Sequence, residues 1–140
     1  MTNTTTTSNP STPTPSTVTA AVAPCPVSWF EIHTADPARA KQFYADVFGW
    51  TYDESMPEYP MIGLGDDAPI GGGVVDNGGQ YPSHALFMVQ VPDVAASLAS
   101  VVDHGGSIIA DAKSTPYGLS FGYAANPDGS VFGVWCPPAE

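Results

Sequence analysis

Val27–Thr34 is a run rich in aromatic and β-branched residues with Ser, Glu and His set among them. Trp29, Glu31 and His33 fall on one face, and Phe30 and Ile32 on the other, so the pattern predicts a strand. Asp36 and Pro37 then supply an N-cap and a first-turn proline. Ala40, Phe43, Tyr44, Val47 and Phe48 recur at helical spacing and predict one apolar face, with Arg39, Lys41 and Asp46 outside it. Gly49 is the stop signal. Short apolar runs between Pro- and Gly-containing turns predict strands near 50–53, 59–64 and 70–75. The same order then returns. A strand is expected at 84–91. Asp93 caps a helix expected to turn Val94, Leu98, Val101 and Val102 inward, and Gly105 and Gly106 end it. Strands follow at 107–110, 119–124 and 131–135, the last two joined by the Asn126-Pro127-Asp128-Gly129 turn.

Asp36 and Gly49 are separated as Asp93 and Gly106 are, although the two apolar faces do not superpose residue for residue. The predicted class is α+β: two β-α-β-β-β modules, about 27–76 and 83–137, curled into a half-open barrel with a pocket inside.

Composition sets the limits of this domain. Residues 1–26 of the 140 are rich in Thr, Ser, Pro and Asn and lack aromatic side chains. Such a segment buries too little apolar surface to offset its ordering entropy, so it is expected to be a disordered tail beside one domain at 27–137. It has neither a basic start nor a long apolar run, so it does not read as a secretory signal. No later run is long enough to span a membrane. A cytoplasmic location is expected, with Cys25 and Cys136 as unpaired thiols, although they could bond if the domain ends meet.

Three Lys and Arg against 14 Asp and Glu give a net charge of −11. That argues against nucleic acid, an anionic membrane or a phosphate-rich substrate as partner, since only Arg39, Lys41 and Lys113 are available as cations. Exposed sheet edges favour a homodimer.

The candidate chemistry lies on the inward strand faces. Glu31 and His33 share one, and His84 begins the strand of the second half. A buried carboxylate needs partners, and so few cations leave His33, His84 or a ligand donor to serve. Trp29, Leu86, Met88 and Trp135 belong to the same faces; Tyr52, Tyr59, Phe121 and Tyr123 are added with their facing open. These rings could simply fill the barrel, but with Glu31 and His33 beside them they favour a cavity for a flat ligand. Other chemistry is poorly supported. Gly71-Gly72-Gly73 precedes a strand, where no helix N-terminus can cradle phosphate. Ser83 and His84 point to opposite faces. His104, at a helix end, suits the helix dipole.

The run Asp36-Pro37-Ala38-Arg39-Ala40-Lys41-Gln42-Phe43-Tyr44, then Val47-Phe48-Gly49-Trp50, and later Asn126-Pro127-Asp128-Gly129, resembles the vicinal oxygen chelate superfamily. This is the glyoxalase/bleomycin resistance/dioxygenase fold. Trp29-Phe30-Glu31-Ile32, His84 and Val131-Phe132-Gly133-Val134-Trp135 are similar to the actinobacterial glyoxalase-like group of culture-filtrate antigens. The resemblance implies a divalent metal held by His or Glu on facing strands. Those positions fall on Trp29, Leu86 and Gly133, none of which binds a metal. The expectation is therefore no metal and no other cofactor. The chain would bind a small aromatic or polyketide-like metabolite of secondary metabolism. It would do so by sequestration, or by isomerisation or cyclisation with Glu31 as base and His33 or His84 as acid. The alternative is a divalent-metal lyase or dioxygenase that uses Glu31, His33 and His84. Binding and turnover both stay open.

Overall fold

The computed structural model describes residues 23–138. The expected disorder of residues 1–22 lies outside them. Residues 23–26 have no regular secondary structure, and the Pro26 carbonyl accepts a hydrogen bond from the Gln90 amide at 2.8 Å.

Eight strands and two helices follow among the described residues. They are β1 (Val27–Thr34), α1 (Pro37–Phe48), β2 (Thr51–Asp53), β3 (Met61–Gly63), β4 (Gly71–Asp76), β5 (His84–Gln90), α2 (Val94–Asp103), β6 (Ser107–Ser114), β7 (Ser120–Ala125) and β8 (Val131–Cys136). All strands join one open sheet in the order β2-β3-β4-β1-β5-β8-β7-β6. The halves therefore repeat the same internal order and meet where β1 pairs antiparallel with β5. Within each half the first strand pairs parallel with the last, β1 with β4 and β5 with β8. This is the expected α+β arrangement, open at β2 and β6 and not closed into a barrel.

Cross-strand register assigns the two faces. Trp29 sits opposite Met88, Glu31 opposite Leu86 and His33 opposite His84; Met88 in turn faces Gly133, and Gly133 faces Tyr123. These residues form the helix-free face. Phe30, Ile32, Val74 and Val134 belong to the other face, which carries both helices. Under α2 a core forms from Val91, Val94, Leu98, Ala124 and Val134; under α1 a second core forms from Ile32, Ile62 and Val74.

Both predicted helix caps are present. Asp36 accepts from the Arg39 amide at 3.1 Å and Asp93 from the Ala96 amide at 3.0 Å. Gly49 adopts the left-handed conformation, φ 74°, that favours glycine at a helix end. Two expected burial patterns are corrected. Phe43, Val47 and Phe48 of α1 are more than half exposed, because Tyr44 alone of that stripe joins the core by stacking on Trp50. Val102 of α2 also faces outward. β6 runs to Ser114 instead of ending at 110. As an edge strand it tolerates the polar, exposed stretch after Ala110, with register irregularities either side of it. Cys25 and Cys136 are both free thiols. No helix among the described residues is long and apolar enough to cross a membrane.

Candidate functional site

Strand alternation carries Glu31 to the centre of the helix-free face, where it is 4 % exposed. Burying a carboxylate costs several kcal/mol unless it is hydrogen-bonded. Three side chains meet that requirement. Tyr123 donates to Oε1 at 2.6 Å, His33 Nε2 lies 2.8 Å from the same oxygen, and Tyr59 donates to Oε2 at 2.8 Å. Bonds to a charged group contribute about 1.5–3 kcal/mol each, so three offset a desolvation cost of that size.

The network extends outward in both directions. Trp29 Nε1 donates to the Tyr59 hydroxyl at 2.8 Å. His33 Nδ1 lies 2.6 Å from the Tyr81 hydroxyl. The consistent proton assignment puts hydrogen on His33 Nε2, aimed at Glu31, and lets Nδ1 accept from Tyr81. His33 is as buried as Glu31. The Tyr59 and Tyr123 phenols are both pushed well above their ordinary range, first by desolvation and then by the Glu31 charge. Tyr81 is raised for the same two reasons. All three phenols thus stay protonated and act as donors at neutral pH.

His84 stacks on His33 with ring centroids 5.0 Å apart. Its Nδ1 donates to the Pro82 carbonyl at 2.9 Å, while Nε2 is buried without a partner among the described residues. Both histidines line a cavity of about 390 Å³ wedged between the end of β1, the start of β5 and α1. Thr34, Arg39, Phe43 and Tyr44 are among its other walls. Glu31 is not.

Apart from His84, which stacks on His33 without bonding to Glu31, the sequence-predicted residues separate into three groups. Glu31, His33, Trp29, Tyr59 and Tyr123 converge on one hydrogen-bonded cluster. Leu86, Met88, Phe121 and Trp135 share its face. Leu86 and Met88 are buried, Trp135 lies 6.5 Å from Trp29, and Phe121 meets Tyr123 edge-on. Tyr52 is the correction. It pairs with Ile62 on the helix side, and its hydroxyl donates to the Lys41 carbonyl of α1 at 3.0 Å. Tyr81 is the residue that sequence reasoning missed. It follows the Gly78-Gly79 turn outside any strand, where alternation gives no facing.

The metal implied by the resemblance does not fit these residues. Trp29 and Leu86 occupy two of the usual ligand positions. At the third, Gly133, even a Cβ would overlap the Met88 sulfur, so that space is filled from the neighbouring strand. In the displaced set, Glu31 and His33 bond each other and His84 is turned to Pro82. Among the described residues no three His, Cys, Asp or Glu side chains are grouped to hold a metal ion.

Residues 27–65 match the family model described as bleomycin resistance protein-like N-terminal. The fold superposes on a glyoxalase/bleomycin resistance protein/dioxygenase superfamily member from Vibrio splendidus with a TM-score of 0.55, at 17% identity, over 81% of this chain and 98% of that one. The chain thus has the glyoxalase/bleomycin resistance/dioxygenase fold, and its sequence is similar to glyoxylase-like proteins. It is 29% identical over 118 residues to CFP32 of Mycobacterium tuberculosis, whose name marks it as a candidate glyoxylase; the match covers 77% of this chain and 44% of that protein. This chain thus spans less than half the length of that relative. A glyoxylase-like domain-containing protein of Didymella fabae is 29% identical over 123 residues, with 81% of this chain and 95% of that protein covered.

Proposed function

We propose that the chain binds a small aromatic metabolite on the helix-free face without a metal, and that Glu31 and His33 form its proton-handling pair. The observation that carries this reading is the buried Glu31 carboxylate, held by Tyr59, Tyr123 and His33 with no Lys or Arg paired to it among the described residues. A carboxylate placed this way accepts a hydroxyl proton or an activated C–H proton from a ligand, and the carboxylic acid so formed returns it while the His33 Nε2–H bond holds Glu31 in place. The same geometry serves sequestration, in which Glu31 only orients the ligand.

The test is a panel of small aromatic compounds read by thermal shift, followed by titration of any hit against wild type and Glu31→Gln. The substitution keeps the shape and removes the charge. Binding or turnover should weaken at least tenfold, about 1.4 kcal/mol. Equal affinity and turnover in the variant would make Glu31 a structural residue and end this assignment.

A homodimer in the cytoplasm is part of the same proposal. The edge strands β2 and β6 and the outward Phe43, Val47 and Phe48 of α1 are surfaces that a second copy would cover. Light scattering at about tens of micromolar should report twice the chain mass; a monomer there refutes it.

A further inference from the structure

Tyr59 does not belong to the strands that build the helix-free face. It is carried by the irregular segment between β2 and β3, where the Tyr59 amide donates to the Met56 carbonyl at 2.9 Å and the next residue, Pro60, accepts from the Val74 amide of β4 at 3.0 Å. That segment reaches its counterpart in the other half through the Tyr117 hydroxyl, 2.9 Å from the Met56 sulfur. From this loop the Tyr59 ring enters the face directly above Gly73. A Cβ at Gly73 would overlap the ring, so the sheet leaves a slot there of the ring's own shape. At the inner end of the slot stand one donor and one acceptor: Trp29 Nε1–H gives a hydrogen bond to the Tyr59 oxygen, and Glu31 Oε2 receives one from it.

We propose that this slot is a phenol-recognition site that the chain fills with its own tyrosine, and that the ligand is a 4-substituted phenol that displaces Tyr59. The inference rests on the small-molecule reading above and names the class of molecule. Three features carry it. The slot is floored by glycine, whose missing Cβ leaves the room that the ring occupies. Its acceptor belongs to the buried Glu31 carboxylate and its donor to the half-buried Trp29, so the displacing group that pairs both is a hydroxyl, which donates and accepts at once. The Tyr59 ring enters with its own para substituent, the Cβ, pointing back to the loop. A ligand is thus free to carry a substituent at that position and nowhere deeper. The second half offers no equivalent, because Tyr123 reaches Glu31 from within β7, whose backbone is paired on both sides, and not from a loop.

The experiment uses 4-ethylphenol and ethylbenzene with the full chain. Wild type should bind 4-ethylphenol at least tenfold more tightly than ethylbenzene. Its binding should open Tyr59 to nitration, mapped by mass spectrometry, while Tyr123 stays protected. Tyr59→Phe keeps the ring but gives up the competing hydroxyl, and should bind 4-ethylphenol at least threefold more tightly than wild type. Tyr59→Ala, if it folds, should gain at least tenfold with the preference over ethylbenzene intact. Tyr59 protected while 4-ethylphenol is bound overturns the displacement and leaves the small-molecule reading standing. Ethylbenzene binding as tightly as the phenol in wild type or in either variant overturns the hydroxyl recognition. Phenol binding in Tyr59→Ala but not in wild type shows an engineered hole and likewise overturns it. Failure of every aromatic probe on wild type removes the small-molecule reading itself.

Discussion

The two helices start with the same cap, end near the same glycine and sit on the same face of the sheet, yet one is buried and the other is not. Aligning Asp36 with Asp93 and Gly49 with Gly106 sets Val94, Leu98 and Val101 of α2 against Pro37, Lys41 and Tyr44 of α1. The stripe that α2 drives into its core is thus broken in α1 by a lysine, which reaches Glu54 at 2.8 Å. The strands below differ as well. Beneath α2 lie Gly122 and Ala124, small enough for Leu98 to touch the sheet. Beneath α1 lie Phe30, Trp50 and Tyr52, and the helix is held by handles: Tyr44 stacked on Trp50 at 4.8 Å and the Tyr52 hydroxyl on the Lys41 carbonyl. A repeated pattern of caps and turns transmits topology between modules. Burial depends on the side chains opposite, and these have diverged. The half with the looser helix is also the half that contributes Glu31, His33 and Tyr59.

The comparison breaks most easily at Leu98, which is 2 % exposed. Leu98→Ala should cost about 3 kcal/mol in denaturant unfolding, the transfer loss plus the cavity left behind. Phe48→Ala, at a larger side chain that is 62 % exposed, should change stability by no more than about 0.5 kcal/mol. Similar losses at both sites would mean that α1 is covered in solution, which would support the dimer. Gly122→Ala comes next. The added Cβ would stand 2.9 Å from Leu98 Cδ1 and 3.1 Å from the Ala110 carbonyl, so overpacking should cost about 2 kcal/mol by the same measurement.

Much of the architecture is legible before any coordinates. Alternation over Val27–Thr34 puts Glu31 and His33 on one face, and the Asp-Pro and Gly punctuation marks both helices. Three features escape the pattern for physical reasons. A helical apolar stripe predicts amphipathicity but not what covers it, so the outward Phe43, Val47 and Phe48 follow only from the bulky residues beneath α1. Tyr59, expected to open a strand at 59–64, lies before the observed Met61–Gly63, and Tyr81 lies in an irregular segment where no period sets a facing, so their arrival at Glu31 and His33 needs the tertiary fold. Tyr52 sits in a three-residue strand, too short for alternation to choose between faces, and it faces the helix.

The halves can also be compared through the two phenols that hold Glu31, Tyr59 from a loop and Tyr123 from β7. Both have their folded-state pKa raised above the ordinary value of 10.0, by desolvation first and the Glu31 charge second. The native state therefore keeps protons that the unfolded chain releases. Their contribution is fully present below about pH 10 and is lost as pH rises further. Stability should fall above pH 10 by up to about 1.4 kcal/mol per phenol for each pH unit. Tyr59→Phe and Tyr123→Phe should each flatten that slope by a similar amount. A slope that responds to Tyr123→Phe alone would show that the loop tyrosine is already loose in the free protein.

The smallest expected effect concerns what the helices share. Asp36 and Asp93 each accept a hydrogen bond from the third residue beyond, at 3.1 and 3.0 Å, so Asp36→Ala and Asp93→Ala remove the same interaction. Each loss is worth about 1 kcal/mol to its helix. The readouts should differ because the helices differ in anchorage. Leu98 and Val94 bind α2 to the core beneath it, so fraying its first turn strains buried contacts and Asp93→Ala should lower global stability by nearly the full 1 kcal/mol. The first turn of α1 buries nothing comparable, and its amides can open without disturbing the core below. Asp36→Ala should therefore appear mainly as faster amide exchange at the start of α1, with a smaller change in global unfolding. Equal global losses would show that α1 is coupled to the core as tightly as α2, and that its exposed apolar face is no sign of weaker attachment.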